Sequence, residues 1–78
     1  MAEYNGDLHV GDYVQFDYAE GLDPILPYIG RISQIPYTSE HGVVFEGKIR
    51  VIFMLKPTGC MREIIRDESA LTLVMSAP

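Results

Sequence analysis

Apolar and polar residues alternate with a period of two along much of this chain. In residues 10–18 (VGDYVQFDY), Val14, Phe16 and Tyr18 share one face, and Gln15 and Asp17 the other. Alternation of this kind marks a half-buried strand, and Gly11-Asp12 ahead of it is a turn signal. A second alternating run spans residues 28–35 and stops at Pro36. The strongest covers residues 48–56 (KIRVIFMLK). Ile49, Val51, Phe53 and Leu55 face one way there, and Arg50, Ile52, Met54 and Lys56 the other. Lys56-Pro57-Thr58-Gly59 fits a type I turn, which sends CMREII back as a hairpin partner. Asp67-Glu68-Ser69 breaks the pattern, and ALTLVM supplies a last strand. Ser69 is alternatively the cap of a short helix.

Between these runs lie two irregular segments. Residues 19–27 (AEGLDPILP) hold Gly21, Pro24 and Pro27, which forbid regular structure. Ile25 and Leu26 within this loop are expected to pack down onto the body. Residues 37–47 (YTSEHGVVFEG) predict a loop or a poorly formed hairpin arm, with Gly42 and Gly47 as breakers. No convincing amphipathic helix appears. One all-β domain follows, and at 78 residues the economical closed form is a small SH3-like barrel of about five strands. Gly30 interrupts the second strand, where glycine packs nothing and costs backbone entropy. A small barrel needs sharp bending and close approach of neighbouring chains. Gly30 is therefore expected to point inward between Tyr28 and Ile32, with Arg31 pointing outward.

Charge divides the chain. Residues 1–46 hold eight acids and one base, Arg31, whereas residues 47–78 hold three acids and five bases. The acidic half opposes phosphate contacts and suits a basic partner; it equally serves to keep a small apolar domain soluble. No apolar run reaches the roughly 18–20 residues that span a bilayer, and the acidic, polar start does not resemble a signal peptide. The single cysteine, Cys60, has no internal disulfide partner. An intracellular location, nuclear or cytoplasmic, is expected.

Gly11, Asp12 and Val14, then Pro27, Tyr28, Ile29, Gly30, Arg31, Ile32 and Ile35, then Ile49, Val51, Phe53, Lys56 and Pro57 form an ordered set of three strand motifs. In that order they resemble the start of a BAH (bromo-adjacent homology) domain. The first two motifs also resemble Tudor and other SH3-like modules. The chain departs from the BAH pattern at Met54 and Leu55, where aromatic residues are usual, and at Thr58-Gly59-Cys60, where acids are usual. The resemblance implies a chromatin-associated module that binds histone tails.

Methyl-lysine readers enclose the cation with aromatic faces. The chain offers Tyr4, Tyr13, Phe16, Tyr18, Tyr28, Tyr37, Phe45 and Phe53, and no Trp. Tyr18, Tyr28 and Tyr37, with Glu20 and Asp23 in the adjoining loop, are the candidate contacts for a basic peptide. The ordinary fate of aromatic residues in so small a barrel is the core. His9 and His41 show no zinc-ligand spacing, and no nucleophile elbow, phosphate loop or HExxH pattern occurs. Neither catalysis nor a cofactor is expected. Lys48, Arg50 and Lys56, with Arg31 beside them, are the candidates for single-stranded nucleic acid, but Ile52 and Met54 interleave them in place of stacking aromatics. Those two apolar residues, rimmed by cations, are also candidates for docking against a partner protein or a second copy. The sequence thus supports a non-enzymatic protein-interaction module. A basic tail on the acidic surface, docking or homodimer formation on the Ile52/Met54 face, and single-strand binding stay open as alternatives.

Overall fold

The structure, a computed structural model, describes residues 8–56 and 58–78. Tyr4 and Pro57 lie outside these. The described residues form seven strands: β1 (Tyr13–Tyr18), β2 (Leu26–Gln34), β3 (Tyr37–Thr38), β4 (Val44–Phe45), β5 (Lys48–Met54), β6 (Met61–Asp67) and β7 (Thr72–Met75). Five make one antiparallel sheet in the order β6-β5-β2-β1-β7, and β3 and β4 form a separate two-stranded hairpin. The all-β expectation holds. The last strand returns beside the first. Barrel closure does not hold: β6 and β7 are the sheet's two edges and do not pair.

The alternation seen in the sequence sets the two faces of the sheet. Val14 and Phe16 on β1, Tyr28 and Ile32 on β2, Ile49, Val51 and Phe53 on β5 and Ile64 on β6 point to one side and are buried together with Leu8, Leu55 and Leu71. Gly30 belongs to that side. It stands opposite Val14 on β1 and Phe53 on β5. A Cβ there would lie 2.6 Å from Val51 Cγ1 and 2.8 Å from the Ile52 carbonyl oxygen, so only glycine lets β2 and β5 approach this closely.

Several connections differ from expectation. Ile25 and Leu26 do not pack down; both are exposed, because β2 already begins at Leu26 and carries that segment clear of the core. Residues 37–47 do contain a hairpin, pinned by the Ser39 N–H donating to the Val43 carbonyl (2.9 Å) and by Ser39 Oγ accepting from Val43 N–H (3.2 Å). The connection between β5 and β6 is closed by Leu55 N–H to Cys60 O (2.7 Å) and Gly59 N–H to Leu55 O (2.8 Å). Pro57, the second residue of the expected type I turn, lies outside the described residues. Ser69 caps nothing. It sits inside a single 3₁₀ turn, Glu68–Ala70, flanked by Asp67.

Asp12 is the buried polar residue of the described chain, 2% exposed. Its Oδ1 accepts the Ala77 N–H (2.8 Å) and its Oδ2 the His9 N–H (2.9 Å). The Gly11-Asp12 turn therefore also fastens residues 76–78 across the top of β1. These two bonds, Ala77 first and then His9, hold the carboxyl below its ordinary value of 3.8. A folded-state value below that of the unfolded chain means a stabilising contribution that is present above about pH 4 and lost as pH falls through the folded-state value. Thermal unfolding followed from neutral pH into strong acid is expected to show a melting temperature that drops over that acid range. Asp12→Asn, which turns an acceptor into a donor facing an N–H, is expected to melt lower at neutral pH and to lose part of the acid dependence. An unchanged melting temperature at neutral pH would show that the two bonds hold nothing.

Candidate functional site

The seven residues singled out from the sequence fall in four separate places. Tyr18, Tyr28 and Glu20 come together at one end of the core. Strand alternation puts the Tyr18 and Tyr28 rings on the core side, where they meet Phe53. Tyr18 lies 4.8 Å from Phe53 and 5.9 Å from Tyr28, centroid to centroid and edge-on, and Tyr28 lies 5.2 Å from Phe53. These are packing distances for aromatic pairs. The Tyr18 hydroxyl donates to Glu20 Oε1 (2.5 Å), and Arg62 reaches Glu20 Oε2 (3.1 Å). Tyr18 first, then Arg62, pulls the Glu20 carboxyl below its ordinary value, and the same bond to Glu20 raises Tyr18. The outer side of the Tyr28 ring receives the chain's own Lys56, whose Nζ lies 5.3 Å from the centroid.

Asp23 and Tyr37 stand apart from this cluster. Asp23 is exposed in the turn after β1, where its N–H donates to the Glu20 carbonyl (2.9 Å). Tyr37 is on the small hairpin, tilted against Phe45 at 5.5 Å. The rings therefore do not converge on a single point, and the acid nearest the Tyr18–Tyr28 pair already holds a hydroxyl and a guanidinium.

Ile52 and Met54 occupy the opposite, outer face of the sheet, as period-two alternation demands. Register shows what surrounds them. Ile52 stands between Arg31 on β2 and Glu63 on β6, and Met54 stands beside Met61. Ile29, two residues before Arg31 on the same face, shares a shallow depression with Met54 and Lys56. A second depression is lined by Arg31, Ile52 and Met61, with Val10 at its margin. Ile29, Met54 and Met61 are each more than half exposed (54%, 57% and 56%), and Ile52 is half-buried between them. Four large apolar side chains thus form one surface across β2, β5 and β6.

Charges frame this surface unequally. Lys48 pairs across strands with Asp67 (2.5 Å), and Arg50 pairs with Glu63. Arg31 lies over the Tyr13 ring (5.9 Å). Neither Arg31 nor Lys56 forms an ion pair with a described residue. Ile29 and Met61 were not singled out from the sequence, although both were legible there. Ile29 falls on the outward phase once Tyr28 and Ile32 are inward. Met61 mirrors Met54 across the β5–β6 hairpin.

Among the described residues no group of three or more His, Cys, Asp or Glu side chains is placed to hold a metal ion. No helix among them is long and apolar enough to cross a membrane. No known family model, curated protein or solved structure matches the chain.

Proposed function

We propose that the protein is a non-enzymatic interaction module that docks another protein on the outer face of β2, β5 and β6. The carrying observation is the exposed cluster of Ile29, Met54 and Met61 around Ile52. Exposed apolar side chains gathered on one rigid face mark contact surfaces. Methionine adapts to varied partners, and apolar anchors near the middle of an interface dominate its energy. Arg31 and Lys56, at the rim without an acid partner among the described residues, favour a partner whose apolar contact residues are flanked by carboxylates.

Capture of a basic or histone-like tail, the role implied by the BAH and Tudor resemblance, fits the geometry less well. It calls on Tyr18, Tyr28 and Glu20, and those groups are engaged with Phe53, Lys56 and Arg62. Single-strand binding calls on Lys48 and Arg50, whose charges face Asp67 and Glu63.

Ile52→Ser combined with Met54→Gln tests the proposal, because these residues lie outside the core. The double variant is expected to keep the parent's melting temperature within a few degrees and to lose the proteins that the parent captures from native lysate. Because the docking is apolar, capture by the parent is expected to persist in high salt. A variant that unfolds would place this face in the core. A folded variant with the parent's set of captured proteins would move the site elsewhere, first to the loop after β1, exposed over residues 21–25.

A further inference from the structure

The two edges of the five-stranded sheet differ in kind. β6 carries Arg62, Glu63, Arg66 and Asp67, and charged side chains along an edge oppose the addition of a further strand. β7 carries no charge, and all four of its residues are exposed. The neutral stretch continues on both sides, with no ionisable side chain in residues 69–78. One side of β7 pairs with β1, and no described strand pairs with the other.

Leu73 shows what this edge lacks. It stands opposite Val14 in the ladder, and residues directly opposite in an antiparallel pair point to the same face. Val14 is completely buried, yet Leu73 remains 40% exposed. The inward face of the sheet reaches its open edge uncovered, at a strand whose free side pairs with no other strand among the described residues.

We propose that β7 pairs antiparallel with β7 of a second copy of this chain. Backbone hydrogen bonds are available to any added strand, so side chains select the partner. The strand that fits must be uncharged and must bring an apolar side chain to lie beside Leu73. β7 itself meets both conditions, and its antiparallel self-pairing forms a two-fold interface in which each copy offers the same surface. Charge points the same way. Each chain carries a net −5, so two copies repel over most of their surfaces and approach most easily through the neutral segment. A pairing centred on Leu73 sets the two Leu73 side chains opposite each other on the inward face, each covering the other's exposed flank. Four residues per edge bury less than the roughly 1,200–2,000 Å² of a standard stable interface, so the dimer is concentration-dependent and not obligate. The outer face of β2, β5 and β6 stays free in it.

The test is light scattering together with amide hydrogen exchange on the full chain over roughly a hundredfold range of concentration. The mass is expected to rise from one chain toward two, with β7 amides gaining protection and β6 amides gaining none. Val74→Lys places a charge on the exposed edge. It is expected to hold the chain monomeric across the range while keeping the parent's melting temperature at low concentration. Leu73→Cys on a Cys60→Ser background is expected to form a disulfide-linked dimer on mild oxidation. A parent that stays monomeric, with unprotected β7 amides throughout, would overturn the proposal. So would a dimer that survives Val74→Lys and dissociates with Ile52→Ser/Met54→Gln. Protection of β7 that appears only when lysate proteins are added would replace the second copy with a strand from another protein.

Discussion

Phe53→Ala is expected to remove a large share of the domain's stability. Phe53 is 2% exposed. Its ring lies within 5.2 Å of those of Phe16, Tyr18 and Tyr28, so it is the hub on which the other three pack. Truncating a buried phenylalanine costs about 3–5 kcal/mol, the lost burial and the cavity together. A domain of this size has roughly 4–12 kcal/mol to lose. The loss is aggravated because Phe53 faces Gly30 across the ladder, which has no side chain to move into the vacated space. Denaturant titration followed by circular dichroism measures the effect. Met54→Ala, one residue along the same strand but pointing outward, is the control and is expected to change stability by no more than about 0.5 kcal/mol. Equal losses for the two variants would mean that the facing of β5 is wrong.

Gly30→Val carries the second large effect. Its Cβ alone meets Val51 Cγ1 at 2.6 Å, the Ile52 carbonyl oxygen at 2.8 Å and Phe53 Cβ at 3.0 Å. A side-chain methyl has some freedom to move aside. The carbonyl oxygen has none without parting β2 from β5. Overpacking of a core costs typically 1–3 kcal/mol, and valine here is expected at or above the top of that range. Gly30→Ala is expected to be milder but still destabilising. Combining Gly30→Ala with Val51→Ala separates the two contacts: relief from the Val51 methyl recovers part of the loss, and the Ile52 oxygen retains the rest. Melting temperatures of the three variants report this directly. Full recovery in the double variant would show that backbone approach is not the constraint.

The facing of the strands was legible because a period of two is a local property, visible within six or seven residues. Val14 and Phe16, Tyr28 and Ile32, and Ile49, Val51 and Phe53 all take the side that their spacing assigns, and Gly30 could be placed inward on the same basis. What depends on contacts between distant segments was not legible. Nothing local to MREIIRD or TLVM states that these strands leave two open edges. Ile25 and Leu26 looked like anchors because they are apolar, but where a loop settles depends on whether room remains beneath it. Gly11-Asp12 announced a turn, yet the second role of Asp12 needs Ala77, which only the folded chain brings near. At the candidate site, the outward phase of Ile52 and Met54 was readable within one strand. Their union with Ile29 and Met61 depended on the pairing of β5 with its two neighbours. Tyr18, Tyr28 and Tyr37 were grouped by residue type, and type alone does not reveal that Lys56 covers one ring or that Phe45 takes another.

The pairing of β1 with β7 also has a consequence for the order of events during synthesis. β2, β5 and β6 assemble between segments that follow one another along the chain, so that part of the sheet is available as soon as residue 67 has left the ribosome. β1 must wait longer for its second neighbour, since Val14 finds Leu73 and Asp12 finds Ala77 across nearly the whole sequence. Contacts of such long separation slow folding. Until residues 72–77 emerge, β1 presents an open edge to the crowded surroundings of the nascent chain, the condition in which unpaired strands associate wrongly. The edges of the finished sheet are thus β6 and β7, but in the growing chain β1 stands where β7 will.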